Sequence, residues 1–99
     1  MANFHVSAEK GPSGEIAVYG SSVGVNAPVF VERVTIVELD GSGNSVFASS
    51  HYVNRSVDPG TQSFLLVSKP PSGSNVKAAR ATAYYIKIQE TALSNTLQL

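Results

Sequence analysis

The chain has no cysteine and no tryptophan, and methionine occurs once. Without cysteine it can form no disulfide, no thiolate nucleophile and no cysteine-ligated metal site. Charge is scarce as well. Charged residues make up 14% of the chain, seven basic residues balance seven acidic ones, and the formal net charge is zero. This removes the electrostatic footprint of a nucleic-acid binder or of a protein held to an anionic membrane. The cations Arg33, Arg55, Arg80, Lys69, Lys77 and Lys87 are scattered rather than striped, so no nucleic-acid partner is expected. No apolar run approaches the roughly 20 residues that a membrane-spanning helix needs. The longest clusters, such as Val29-Phe30-Val31, are strand-sized. The start, Met1-Ala2-Asn3-Phe4-His5, shows neither a basic region nor an apolar core of a signal peptide. The default expectation is therefore cytoplasmic, or secreted or envelope-associated if a leader was removed.

What is present favours strands. Apolar residues are 42% of the 99, enough for one core, and a chain this short is expected to form a single domain over residues 1–99. Val, Ile, Thr, Tyr and Phe dominate, a bias toward pleated, half-buried surfaces. Phe4, Val6 and Ala8 alternate with His5, Ser7 and Glu9, and Ile16, Val18 and Gly20 alternate with Ala17 and Tyr19. Gly11-Pro12-Ser13-Gly14 reads as the turn between them. Val29 to Leu39 is the longest β-rich stretch. Its apolar phase slips near Ile36-Val37, so a bulge is expected there, or burial on both faces. Asp40-Gly41-Ser42-Gly43-Asn44 reads as a hairpin connection. Ser45 to Val53 follows as its partner, with Val46, Ala48 and Tyr52 inward or at the edge. Asp58-Pro59-Gly60 is a turn, Phe64 and Leu66 open another strand, and Lys69 to Asn75 forms a stiff loop. A last strand is expected from Val76 to Gln89, with Tyr84, Ile86 and Ile88 on one face. Residues 78–83 are helix-friendly by propensity, but the period-two pattern that follows and the missing N-cap favour strand. Residues 90–99 are expected to fray. Six to seven short strands with regular turns predict an all-β, antiparallel, immunoglobulin-like sandwich.

The middle of the chain resembles a known family. Val18-Tyr19-Gly20 is followed by Val34-Thr35-Ile36-Val37-Glu38-Leu39-Asp40. Gly43-Asn44-Ser45-Val46, Tyr52-Val53 and Val57-Asp58-Pro59-Gly60 with Ser63-Phe64 come next. This order resembles the FxLYD-type bacterial immunoglobulin-like domains over roughly residues 16–67. At the motif that names the family, Glu38-Leu39-Asp40 stands where Leu-Tyr-Asp is expected. The resemblance implies a sandwich, usually extracellular or envelope-associated, with no catalytic residues to carry over.

Chemistry is thin. Asp40 to Asn44 opens like a calcium loop, but the sixth and twelfth places hold Ser45 and His51 instead of Gly and Glu. The only histidines, His5 and His51, are too few to complete a four-ligand metal site by themselves. Gly-x-Ser-x-Gly and phosphate-cradling loops are absent, and the carboxylates show no paired spacing. No catalytic residue, metal or cofactor is assigned, and no enzyme is expected. Two surface features remain. Ala79, Ala81 and Ala83, with Tyr85 in the same phase, form a row of small side chains that either packs inside the sandwich or seats a partner. Tyr19 and Tyr52 complete the candidate interaction surface. The leading expectation is a non-enzymatic interaction or structural module that binds protein or itself as a homo-oligomer, since zero net charge offers little repulsion. The alternative is a small lectin-like module that stacks sugars on surface tyrosines.

Overall fold

The computed structural model describes residues 4–85 and 90–99. The described residues form the strands β1 His5–Lys10, β2 Ile16–Ser21, β3 Val29–Leu39, β4 Ser45–Val57, β5 Phe64–Lys69, β6 Ala78–Tyr85, β7 Glu90–Leu93 and β8 Leu97–Gln98. All pairings are antiparallel. They make two sheets, a small one in the order β1-β2-β5 and a large one in the order β4-β3-β6-β7, with β8 also on β6. The chain crosses between sheets after β2, after β4 and after β5. The result is an all-β sandwich with no helix among the described residues, built on the inter-sheet connections that immunoglobulin-like sandwiches use.

Alternation decides which residues meet between the sheets. Phe4, Val6 and Ala8 from the β1 side, and Ile16 and Val18 from β2, are buried against Val34 and Ile36 of β3 and against the alanine row of β6. Gly20 belongs to this packing. A Cβ there would lie 2.8 Å from the Phe64 ring and 2.9 Å from the Phe4 ring, so only glycine lets the two aromatic residues close over β2. Phe4 in turn meets Tyr85 with ring centroids 5.3 Å apart. Residues 78–83 are strand. Their alanines fit because β1 of the facing sheet lies over β6, and bulk is supplied from the other side.

Several expectations are corrected. The phase slip in β3 falls not at Ile36-Val37 but at two irregularities, between Val31 and Arg33 and between Glu38 and Leu39. Val29 and Val31 point inward, Glu32 is the extra residue against β6, and Val34, Ile36 and Glu38 then take over the inner face. β4 runs four residues further than expected, to Val57, and of the two places expected for Ala48 and Tyr52, inward or at the edge, both take the edge, exposed on the strand that ends the large sheet. The tail is paired rather than frayed. β7 covers Thr82 to Tyr85 and β8 covers Ala78 and Ala79. Between them Ser94 accepts from the Ala81 amide through Oγ (2.7 Å) and donates its own amide to the Ala81 carbonyl (2.8 Å). Ser94 thus stands in for a ladder pair where the strand is interrupted. The expected positions of Ile86 and Ile88 lie outside the described residues.

The loops between sheets are held by side chains. Ser22, with no exposed surface, donates from Oγ to the Asp58 carbonyl (2.7 Å) and accepts from the Thr61 amide (3.0 Å). It joins the β2–β3 loop to the β4–β5 turn. Ser22→Ala would leave the Thr61 amide unpaired and the Asp58 carbonyl with the Thr61 hydroxyl alone, and the expected loss is about 1–3 kcal/mol of unfolding free energy. Urea denaturation measures it; an unchanged midpoint would contradict the account.

Candidate interaction surface

Each sheet of an open sandwich ends in two edge strands, and an edge is a template for another strand unless something blunts it. The small sheet is guarded at both ends. On β1, the Asn95 side chain accepts from the Ala8 amide (2.9 Å) and donates to the Ala8 carbonyl (3.1 Å), as a neighbouring strand would. On β5, the Arg55 guanidinium donates to the Leu65 carbonyl (3.2 Å) and lies 5.5 Å from the centre of the Phe64 ring. In the large sheet, β7 is only four residues long and is broken from the two-residue β8 by Ser94, Asn95 and Thr96. Short, interrupted edges pair poorly.

β4 is different. It is 13 residues long and lies at the edge of the large sheet. Its C-terminal third is blunted, because Asn54 takes a left-handed conformation (φ 47°) at the register irregularity and Arg55 reaches across to β5. Ser45 to Tyr52 carries no proline, lysine, arginine or carboxylate. Two aromatic side chains flank this stretch. Phe47, 40% exposed, shares the inner-face register with Glu38, and Tyr52, 71% exposed, shares the outer-face register with Arg33.

The outer face of the large sheet continues from Tyr52 across the strands. Arg33 lies beside Tyr52 in register and its guanidinium sits 3.9 Å from the centre of the Tyr84 ring, while its Nη1 pairs with Glu32 at 2.7 Å. The next row holds Ser50, Thr35 and Thr82, with Thr35 Oγ1 and Ser50 Oγ 3.1 Å apart. Arg and Tyr are among the side chains that protein interfaces favour.

The expected site residues separate. Ala79, Ala81, Ala83 and Tyr85 are buried in the core, so the surface they were expected to offer is closed by the sandwich itself. Tyr19 lies half-buried on the outer face of the small sheet, in register with Ser7 and Leu65, beside a shallow hollow of about 90 Å³ lined by His5, Ser21 and Gln62 among others. Tyr52 lies on the opposite outer face. Of these six, Tyr52 alone joins the β4 edge. The four tyrosines therefore do not make one stacking platform, and Arg33 already covers one face of Tyr84.

Two polar groups beside β4 have local partners. Asp40 accepts from the Ser42 and Asn44 amides (2.9 Å each) and so fixes the β3–β4 turn. His51 Nε2 lies 2.8 Å from Ser49 Oγ. Among the described residues, no group of three or more His, Cys, Asp or Glu side chains is placed to hold a metal ion. Among the described residues, no helix is long and apolar enough to cross a membrane.

One site was missed by sequence reasoning. Glu38 has no exposed surface, yet it carries a charge between the sheets. Its Oε2 accepts from Lys69 Nζ (2.9 Å) and Ser72 Oγ (2.6 Å), and its Oε1 accepts from the Ser72 amide (2.7 Å). Lys69 spends its other donors on the Pro70 carbonyl and Ser72 Oγ. Burial alone would push the Glu38 carboxyl up, but the Ser72 and Lys69 hydrogen bonds and the Lys69 charge together hold it below the ordinary value. The pair fastens β3 of one sheet to the end of β5 in the other. No known protein family, curated protein or solved structure matches the chain.

Proposed function

We propose that this protein is a non-enzymatic interaction or structural module that takes up an extended strand of a protein partner along the N-terminal part of β4. The observation that carries the reading is the contrast between edges. β1, β5 and the β7–β8 side each have a device that blunts them, and among the described residues Ser45 to Tyr52 has none. A strand added there gains main-chain hydrogen bonds, and Phe47 and Tyr52 offer an aromatic contact on each face of the sheet. The resemblance of residues 16–67 to FxLYD-type domains brings no catalytic residues with it, in keeping with a non-enzymatic role.

The test uses synthetic eight-residue peptides without Lys, Arg, Asp or Glu, including one with the sequence of Ser45 to Tyr52, titrated into the protein while its backbone amide resonances are followed. Shifts confined to β4 and the adjacent face of β3 are expected. Shifts at β1 or β5 instead, or none at millimolar peptide, would overturn the reading.

A further inference from the structure

We infer that the strand added to β4 is β4 of a second copy of this chain, paired antiparallel about a two-fold axis so that the two large sheets run together as one. This rests on the strand-addition reading and names its partner. Three observations carry it. The open stretch Ser45 to Tyr52 bears no formal charge, so laying it against itself sets no like charges opposite each other, the arrangement that costs most in cross-strand pairs. A charged partner strand, by contrast, would find no complementary charge on that edge. The whole chain is also neutral, so two copies approach without long-range repulsion.

The second observation is composition. Val46-Phe47-Ala48-Ser49-Ser50-His51-Tyr52 is a seven-residue run with no proline or glycine and with β-branched and aromatic residues at intervals. Segments of this kind pair with identical segments. The third is geometry. The blunted part of β4, from Asn54 to Arg55, lies at one end of the strand, so an antiparallel partner can shift its own blunted end away from the other's. A two-fold contact is self-complementary and closes after two copies. The guarded edges on the far side of the large sheet and on the small sheet then stop further growth.

Ala48 is exposed near the middle of the open stretch, and its side chain is not part of the core. Ala48→Lys and Ala48→Glu test the pairing. Sedimentation equilibrium of the intact wild-type protein is expected to show a dimer. Each variant alone is expected to dimerise about tenfold more weakly, because the two-fold brings its new charges together. An equimolar mixture of the two is expected to recover association to within about threefold of wild type. Circular dichroism confirms that each variant keeps its fold; if the Lys variant loses it, the Glu variant against wild type decides. A wild type that remains monomeric at millimolar concentration overturns the inference, as does a mixture no tighter than its components. If such a monomer still takes up the β4 peptide, strand addition stands and only the second copy falls. If it ignores the peptide, both fall.

Discussion

Glu38→Ala is expected to lower the unfolding free energy by about 3 kcal/mol, one of the two largest single-site effects in the molecule. The carboxylate has no exposed surface and accepts three hydrogen bonds. Removing it leaves the Lys69 ammonium, the Ser72 amide and the Ser72 hydroxyl short of a partner in a largely dry place. Uncompensated buried charge costs about 3–5 kcal/mol. The lower end applies because the Lys69 side chain keeps 15% of its surface exposed and still donates to Pro70 and Ser72. The double variant Glu38→Leu with Lys69→Met should recover much of the loss, since replacing both ions with apolar residues removes the desolvation cost along with the attraction. Urea unfolding of the three proteins measures this. A single variant as stable as wild type would mean that the ion pair is incidental.

The same group sets an acid limit. The folded-state value of Glu38 lies below its ordinary value of 4.5, so the carboxylate contributes stability at pH above that value. That contribution is lost as pH falls through the lower, folded-state value. In Glu38→Gln this share of the acid sensitivity disappears. The stability of the variant should therefore change less than that of wild type below about pH 4.5.

The second large effect concerns the alanine row. Ala81→Leu would place three more heavy atoms between sheets that already touch, because Ala81 is 2% exposed and lies within the core. Overpacking a filled core costs about 1–3 kcal/mol and occasionally more. Thr82→Leu, one residue along on the half-buried outer face, is the control and should change stability by about 0.5 kcal/mol or less. Equal effects at the two positions would show that the face assignment of β6 is wrong. This also explains why the alanines do not serve as a docking groove. Their small size lets β1 approach β6, and they share one buried core with Phe4, Val6, Val18 and Phe64 of the opposite layer.

Much of this fold can be read from residue order. The period-two alternation of Phe4-Val6-Ala8 and of Ile16-Val18-Gly20 places both strands, and Asp40-Gly41 places the hairpin. The strand character of residues 78–83 follows from the alternation after them, against their helix propensity. What escaped the sequence was non-local. β7 and β8 are too short to show a period, and they are held by Ser94 and Asn95 side chains that bond to backbone 13 and 87 residues away. Glu38 looks like the polar half of an alternating pair until the irregularity at Val31–Arg33 turns its parity inward. The signal available was the spacing Val31 to Val34, two β-branched residues three apart, which an unbroken strand would place on opposite faces. The β4 edge could not be found from local pattern, because an edge is defined by what does not lie beside it. Its unusual lack of charge over Ser45 to Tyr52 was visible, but only the guarded state of the other edges gives that lack a meaning.

The open β4 edge is the centre of this account, and amide hydrogen exchange across a concentration series tests it most directly. As protein concentration rises through the association range, protection is predicted to increase within Ser45 to Tyr52 and to stay constant along β1, β5 and the C-terminal third of β4. Association accompanied by new protection on another strand, with β4 exchanging as fast as in the dilute protein, would contradict it.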